Sequence, residues 1–232
     1  MNKKLVVITG TTQGLGRAML DRFCEYDNWI VAGGARSKTE IEKLTAEFDQ
    51  RHDFEVVDVT NSDSVHKWHS KLLERYNISP SLLINNAGMV NDSAPLWEIS
   101  PQEWDSVIKV NISGVVNILR VFLPGMIERK SGMVINMSSS RGRRAEKNFA
   151  PYCASKFAVE GITQSLAQEL PTGLAAVTLD PGKGIGTSLL EKCAPEEMQS
   201  SPTPAQWATV AVPYMLSLGE QDNGKALICP VS

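Results

Sequence analysis

Short apolar runs alternate with amphipathic stretches from one end of the chain to the other. The runs fall at residues 5–8, 29–32, 54–58, 82–84, 133–137, 175–179 and 226–229, and most are rich in Val, Ile and Leu. None shows the strict apolar/polar alternation of a half-exposed strand. Continuous apolar strands are what a parallel sheet covered on both faces requires. Between them, residues 14–26, 38–49, 62–76, 101–129, 150–169 and 204–217 carry apolar positions at helical spacing. The pattern predicts a doubly wound parallel α/β sheet of about seven strands, with helices on both faces, in a single domain spanning 1–232. No repeat or linker interrupts it, and residues 182–204, rich in Gly, Ser and Pro, form the longest irregular stretch.

Two junctions between predicted elements carry chemistry. The first strand runs into Thr9-Gly10-Thr11-Thr12-Gln13-Gly14-Leu15-Gly16. Glycines permit a tight turn and a close backbone approach by a pyrophosphate, and the helix N-terminus offers its free N–H groups. The spacing is G-x-x-x-G-x-G rather than the common dinucleotide pattern. At the end of the second strand an acid would bind the ribose 2′-hydroxyl of NAD. No acid stands between Trp29 and Thr39; the turn reads Gly34-Ala35-Arg36-Ser37-Lys38 and offers cations to a 2′-phosphate. NADP(H) is therefore expected over NAD(H).

Further along, Tyr152-Cys153-Ala154-Ser155-Lys156 places a Tyr and a Lys four residues apart in a predicted helix, hence on one face. A fixed ammonium beside a phenol favours the phenolate and lets the proton move near neutral pH. Alone, this spacing often arises by chance and marks a solvated helix face. The phosphate turn, Asn85-Asn86-Ala87-Gly88 after the fourth strand, and the Ser cluster ending the fifth give it weight.

These residues together resemble the short-chain dehydrogenase/reductase family, in its compact single-domain branch with a Rossmann-type fold. The resemblance covers nearly the whole chain. Thr9-Gly10 with Gly14-Leu15-Gly16 match the coenzyme motif, within which Thr12 and Gln13 are expected to touch the cofactor. Asp58 and Val59 match the pair that holds the adenine. Asn85, Ala87 and Gly88 match the motif bordering the nicotinamide ribose, and Asn111 matches the helix Asn of the catalytic tetrad. The family's Ser lies thirteen residues before the Tyr, which selects Ser139 over its neighbour Ser138 and puts Gly142 in place. The resemblance implies that Tyr152 is the general acid in carbonyl reduction and that Lys156 lowers the phenol's pKa and binds the nicotinamide ribose. Ser139 would stabilise the carbonyl oxygen, and Asn111 would help hold a water that feeds protons to Lys156. Arg36 and Ser37 would read the 2′-phosphate.

One segment departs from the family pattern. Pro181-Gly182-Lys183-Gly184-Ile185-Gly186-Thr187 is one residue longer than the usual nicotinamide loop and richer in Gly. Pro181, Gly182, Ile185 and Thr187 are carried over as cofactor contacts, and residues 182–204 are expected to form the substrate loop. No aromatic box for a bulky sterol follows, although Trp97 and Trp207 are available elsewhere in the pocket.

Composition narrows the rest. A formal net charge of -3 and a pI near 5.7 give no footprint for nucleic acid. Four scattered cysteines read as reduced thiols, and no apolar run approaches a membrane span; a signal peptide does not fit before the first strand. The expectation is a cytoplasmic enzyme, a homodimer or homotetramer by analogy with the family, that interconverts a carbonyl and a secondary alcohol. Its small-molecule substrate is not legible. His66 and His69 lack further ligands, so no metal is expected. The rival reading is a non-catalytic nucleotide-binding regulator of the same fold, which would not need Asn111, Ser139, Tyr152 and Lys156 together. An epimerase or dehydratase of the extended branch would need a longer chain. Finally, Arg141, Arg143, Arg144 and Lys147 crowd the loop between Ser139 and Tyr152, with one acid, Glu146. Such a rim would draw in an anionic substrate, whereas a solvated loop is the plainer reading.

Overall fold

The computed structural model describes residues 3–182 and 184–230. Seven parallel strands form one sheet in the order β3-β2-β1-β4-β5-β6-β7. They are β1 (Lys4–Thr9), β2 (Trp29–Ala35), β3 (Asp53–Val56), β4 (Leu82–Asn85), β5 (Gly132–Met137), β6 (Leu174–Asp180) and β7 (Ala226–Ile228). The order reverses between β1 and β4. In open α/β sheets the crevice beyond the carboxyl ends of the strands at that reversal is where ligands bind.

The inner strands β2, β1, β4, β5 and β6 are buried on both faces, which explains the missing alternation in their sequences. Along β1, Val6 and Ile8 enter one core with Phe23, Trp207 and Met215; Leu5 and Val7 enter the other with Trp68, Leu72 and Phe122. The first face is covered by α1 (Gly14–Cys24), α2 (Lys38–Glu47) and α8 (Pro204–Ser217), the second by α3 (Ser62–Tyr76), α5 (Gly114–Arg129) and α6 (Ala150–Glu169). Gly34 in β2 is where the Trp68 ring lies closest to the sheet: a Cβ there would stand 3.0 Å from it.

Local signals set the helix boundaries. Asn61 caps α3 by accepting from Ser64 N–H at 3.0 Å, and Asn77 ends it in the left-handed region. Thr203 and Gln206 cap each other's backbone at the start of α8, where Pro204 takes the first helical position.

Two sequence expectations need correction. Residues 101–129 are not one α-helix: α4 (Pro101–Ile108) passes through a π-helical turn, Lys109–Ser113, into α5. The tract also reaches the length and apolarity of a membrane-crossing helix, contrary to the reading that no run does. In the fold it is a core helix, with Val107, Ile118 and Phe122 fully buried against the sheet layer. Residues 182–204 are not wholly irregular either, since Thr187 caps α7 (Ser188–Cys193) by accepting from Leu190 N–H at 3.2 Å.

Candidate active site

A cavity of about 870 Å³ opens at the carboxyl ends of the strands where the strand order reverses. Its walls bring together residues far apart in sequence: the β1–α1 turn, the ends of β2, β4, β5 and β6, the start of α6, and α7.

One end of the cavity is backbone. Gly10, Thr12, Gln13, Gly14, Leu15 and Gly16 line it. Gly10 has φ +73° and Gly14 φ +55°, conformations an L side chain adopts at a cost. A Cβ on Gly16 would fall 1.9 Å from the Gly10 carbonyl oxygen, so the turn closes only with glycine there. Unlike α2, α3 and α4, which have both, α1 has no side-chain cap and no acid in its first turn. Its N–H groups stay available for an anion. Arg36, Ser37, Asp58 and Val59 continue the wall. Arg36 is exposed and has no acidic partner among the described residues. The Ser37 hydroxyl caps α2, and Asp58 accepts from Thr60 N–H and Oγ1 at 2.9 and 2.8 Å, which fixes its carboxylate at the rim. The donor-rich turn, its Cβ-free cradle and the unpaired cation suit a dinucleotide phosphate with an added 2′-phosphate.

The other end is side chains. Tyr152 and Lys156, one turn apart on α6, are both buried and both line the cavity. Burial pushes the Tyr152 phenol well above its ordinary value; a hydrogen bond with Ser139 and the nearby Arg141 charge work against that. The expected lowering by Lys156 is not what the protein alone produces. The Lys156 ammonium donates to the Met137 carbonyl at 2.8 Å and stands 5.6 Å from the Tyr152 ring centroid. Burial pushes Lys156 down to about 8, against the pull of Glu160 and Asp180.

Ser139 and Ser138 face different ways. Both line the cavity, but Ser139 lies beside the phenol, whereas the Ser138 hydroxyl donates to Glu160 Oε1 at 2.6 Å. Asn111 does not line the cavity. Its Oδ1 accepts from Met89 N–H, and its Nδ2 donates to the Met89 carbonyl and Ser155 Oγ, each at 2.9 Å. It therefore pins the segment after β4 to α6 from within the π-helical turn.

Other expected residues separate cleanly. Ala87, Gly88, Pro181, Gly182, Ile185 and Thr187 line the cavity; Lys183 lies outside the described residues. Asn85 does not: strand alternation turns its amide toward β5, where it donates to Asn136 Oδ1 at 2.8 Å. Its neighbour Asn86 lines the cavity and donates to the Thr9 and Gly10 carbonyls. Neither tryptophan serves the pocket. Trp207 is fully buried and donates to the Pro181 carbonyl, and Trp97 is 84 % exposed on the surface. His69 packs edge-on against Phe122 at 4.9 Å, so it is not wholly on a solvated face.

Glu160 was missed. It is buried on α6 one turn beyond Lys156, accepts from Ser138 Oγ and Thr178 Oγ1 at 2.6 Å each, and pairs with Arg143 Nε at 3.3 Å. Nothing local in the chain marks it, because its partners come from β6 and the loop after β5. Two of the four cations expected at the rim are paired, while Arg144 and Lys147 are exposed and lie outside the cavity lining. Arg143 is held by Glu160 and the Leu227 carbonyl, and Arg141 by Glu146 at 2.6 Å.

Comparison with known proteins shows the family. A family model described as short chain dehydrogenase matches residues 4–197. An NADPH-dependent pterin aldehyde reductase of Arabidopsis thaliana is 37% identical over 226 residues, covering 97% of this chain and 92% of that protein. A 3-oxoacyl-(acyl-carrier-protein) reductase of Thermotoga maritima is 33% identical over 170 residues, 72% of this chain and 68% of its own length. Among solved structures, a short chain dehydrogenase from Escherichia coli complexed with NADPH superposes with a TM-score of 0.85 at 25% identity, covering 100% of this chain and 98% of that one.

Proposed function

The chain belongs to the short-chain dehydrogenase family, and from that premise we propose that it is an NADP(H)-dependent carbonyl reductase with Tyr152 as its general acid. The observation that carries this reading is the convergence of Tyr152, Ser139 and Lys156 on one wall of the cavity whose opposite end is the glycine turn and Arg36. The relative from Arabidopsis acts on an aldehyde by its name, so the carbonyl class includes aldehydes as well as the ketones that secondary alcohols imply.

Gly14, Leu15 and the α1 N–H groups would hold the pyrophosphate, Arg36 the 2′-phosphate, Asp58 and Val59 the adenine, and Lys156 the nicotinamide ribose. When bound, the nicotinamide supplies the hydride. Ser139 donates a hydrogen bond to the substrate's carbonyl oxygen, stabilising the negative charge that grows there. Tyr152 transfers its phenolic proton to the same oxygen. A buried phenol resists ionising, so it holds that proton until the oxygen becomes basic enough to take it. The Lys156 ammonium then lowers the cost of the phenolate left behind. Asn111 keeps Met89 and Ser155 in register around this group. Gly184, Ile185, Thr187 and α7 supply the wall that would face the substrate.

The test is a panel of aldehydes and ketones followed by NADPH absorbance, with NADH in parallel. NADPH-dependent turnover of at least one carbonyl, with NADH weaker, supports the reading. Tighter binding of NADH than NADPH by the unmodified protein would overturn the cofactor assignment.

A further inference from the structure

Arg141 and Glu146 are charged side chains of the cavity that the reaction above leaves without a task. Both line it, on the loop between Ser139 and Tyr152. Arg141 is held on two sides: its Nε donates to Glu146 Oε2 at 2.6 Å, and its guanidinium stacks 5.1 Å from the Phe149 ring centroid. Its side chain is only 14 % exposed, so it is a built part of the wall and not a surface lysine-like tether. These contacts use one guanidinium N–H and one face. The terminal nitrogens make no hydrogen bond among the described residues, and neither does Glu146 Oε1. Arg141 and Glu146 line the same cavity as Ser139 and Tyr152, on the loop that joins them.

Charge decides what such a pair can recognise. A lone arginine would select an anion. Here the carboxylate cancels it; Lys192 of the lining is likewise tied to Asp92 at 2.7 Å, and Glu197 adds an acid, so these groups leave no excess of positive charge. The free donors of Arg141 and the free acceptor of Glu146 instead form an edge with donors and acceptor side by side. A neutral, planar group presenting an acceptor next to a donor satisfies both without leaving a charge unpaired. Amide-like edges of fused nitrogen heterocycles have this pattern.

Resting on the carbonyl-reductase reading, we propose that the Arg141–Glu146 pair is a specificity element that binds the donor–acceptor edge of a neutral heterocyclic aldehyde, of the pterin type. An acidic substrate drawn by the loop cations is the competing expectation, and the experiment includes it.

The experiment compares a pterin carboxaldehyde, 2-naphthaldehyde (two fused rings without the polar edge) and 4-carboxybenzaldehyde in the wild type, Arg141→Gln and Glu146→Gln, all with NADPH. Binding of the pterin aldehyde to the NADPH-saturated protein is also read from its own fluorescence. The wild type should prefer the pterin aldehyde in kcat/KM. Each substitution should cost it ~10-fold or more, mostly in KM, and cost naphthaldehyde much less. Glu146→Gln, which uncovers the arginine charge, should move preference toward the carboxylated aldehyde. Equal losses for pterin aldehyde and naphthaldehyde, or a wild-type preference for the carboxylated compound, would overturn the proposal. Arg141-dependent pterin binding without turnover of any aldehyde would uphold the edge and sink the reductase reading instead.

Discussion

The two ends of the cavity are built from different materials. At the cofactor end the contacts are backbone: glycines that permit an approach, and helix N–H groups left uncapped. At the substrate end they are side chains, several of them buried, whose charges are balanced one against another: Lys156 with Glu160 and Asp180, Arg141 with Glu146, Arg143 with Glu160. A backbone site is destroyed by adding an atom, and a charge-balanced site by removing a charge. The contrast also separates what can vary. Phosphates are the same in every dinucleotide, so the first end needs no side-chain choice beyond Arg36. Carbonyl substrates differ, and the second end stands on loops that can carry different side chains without disturbing the sheet.

Each side of that contrast can be broken separately. The largest effect is expected from Gly16→Ala, because its methyl would fall 1.9 Å from the Gly10 carbonyl. NADPH affinity, followed by fluorescence titration, should fall by ~100-fold or more, with a lower melting temperature. Glu160→Gln should come next. It removes the carboxylate that holds Ser138, Thr178 and Arg143 and that supports the Lys156 charge. Since Glu160 raises Lys156, its loss lets burial depress Lys156 further. The alkaline limb of kcat/KM, expected near pH 8 where the wild-type ammonium is lost, should move to lower pH. An unmoved limb would mean that Glu160 acts only as a structural tie.

Smaller still is the effect of Arg36→Asp, which should weaken NADPH roughly 10-fold while improving NADH relative to the wild type, as paired titrations would show. The mildest concerns a site remote from both ends. His52 accepts from the Val31 N–H at 3.0 Å, and burial with the adjoining Arg51 charge pushes it down to about 4. Its folded value lies below the unfolded one, so the stabilisation is whole above pH ~6.5 and is lost as pH falls toward 4. Denaturant melts across that window should show the loss in the wild type and flatten in His52→Asn.

The same division explains what could be read from the chain beforehand. Strands buried on both faces must be continuous apolar runs, so the sheet was visible in Leu5–Ile8 and its counterparts. The glycine turn was visible because backbone geometry itself demanded the residue type. Tyr152 and Lys156 were visible because they share one helix. Glu160 was not, since nothing local distinguishes a carboxylate facing Ser138 and Thr178 from one facing water. Nor was the π-helical turn at Asn111, which depends on Met89 and Ser155 meeting the amide from elsewhere in the fold. Asn85 and Asn86 show the limit in miniature: adjacent identical residues, one turned into the sheet and one toward the cavity by strand alternation.

The central claim is that the proton delivered to the substrate comes from the buried Tyr152 phenol, and it is tested most directly by Tyr152→Phe. The variant removes one oxygen and keeps the ring against Val90, Phe149 and Cys153. NADPH affinity should stay within a few-fold of the wild type, while kcat for the best carbonyl of the panel falls by ~100-fold or more. Turnover retained at the wild-type level, with NADPH still bound, would contradict the account.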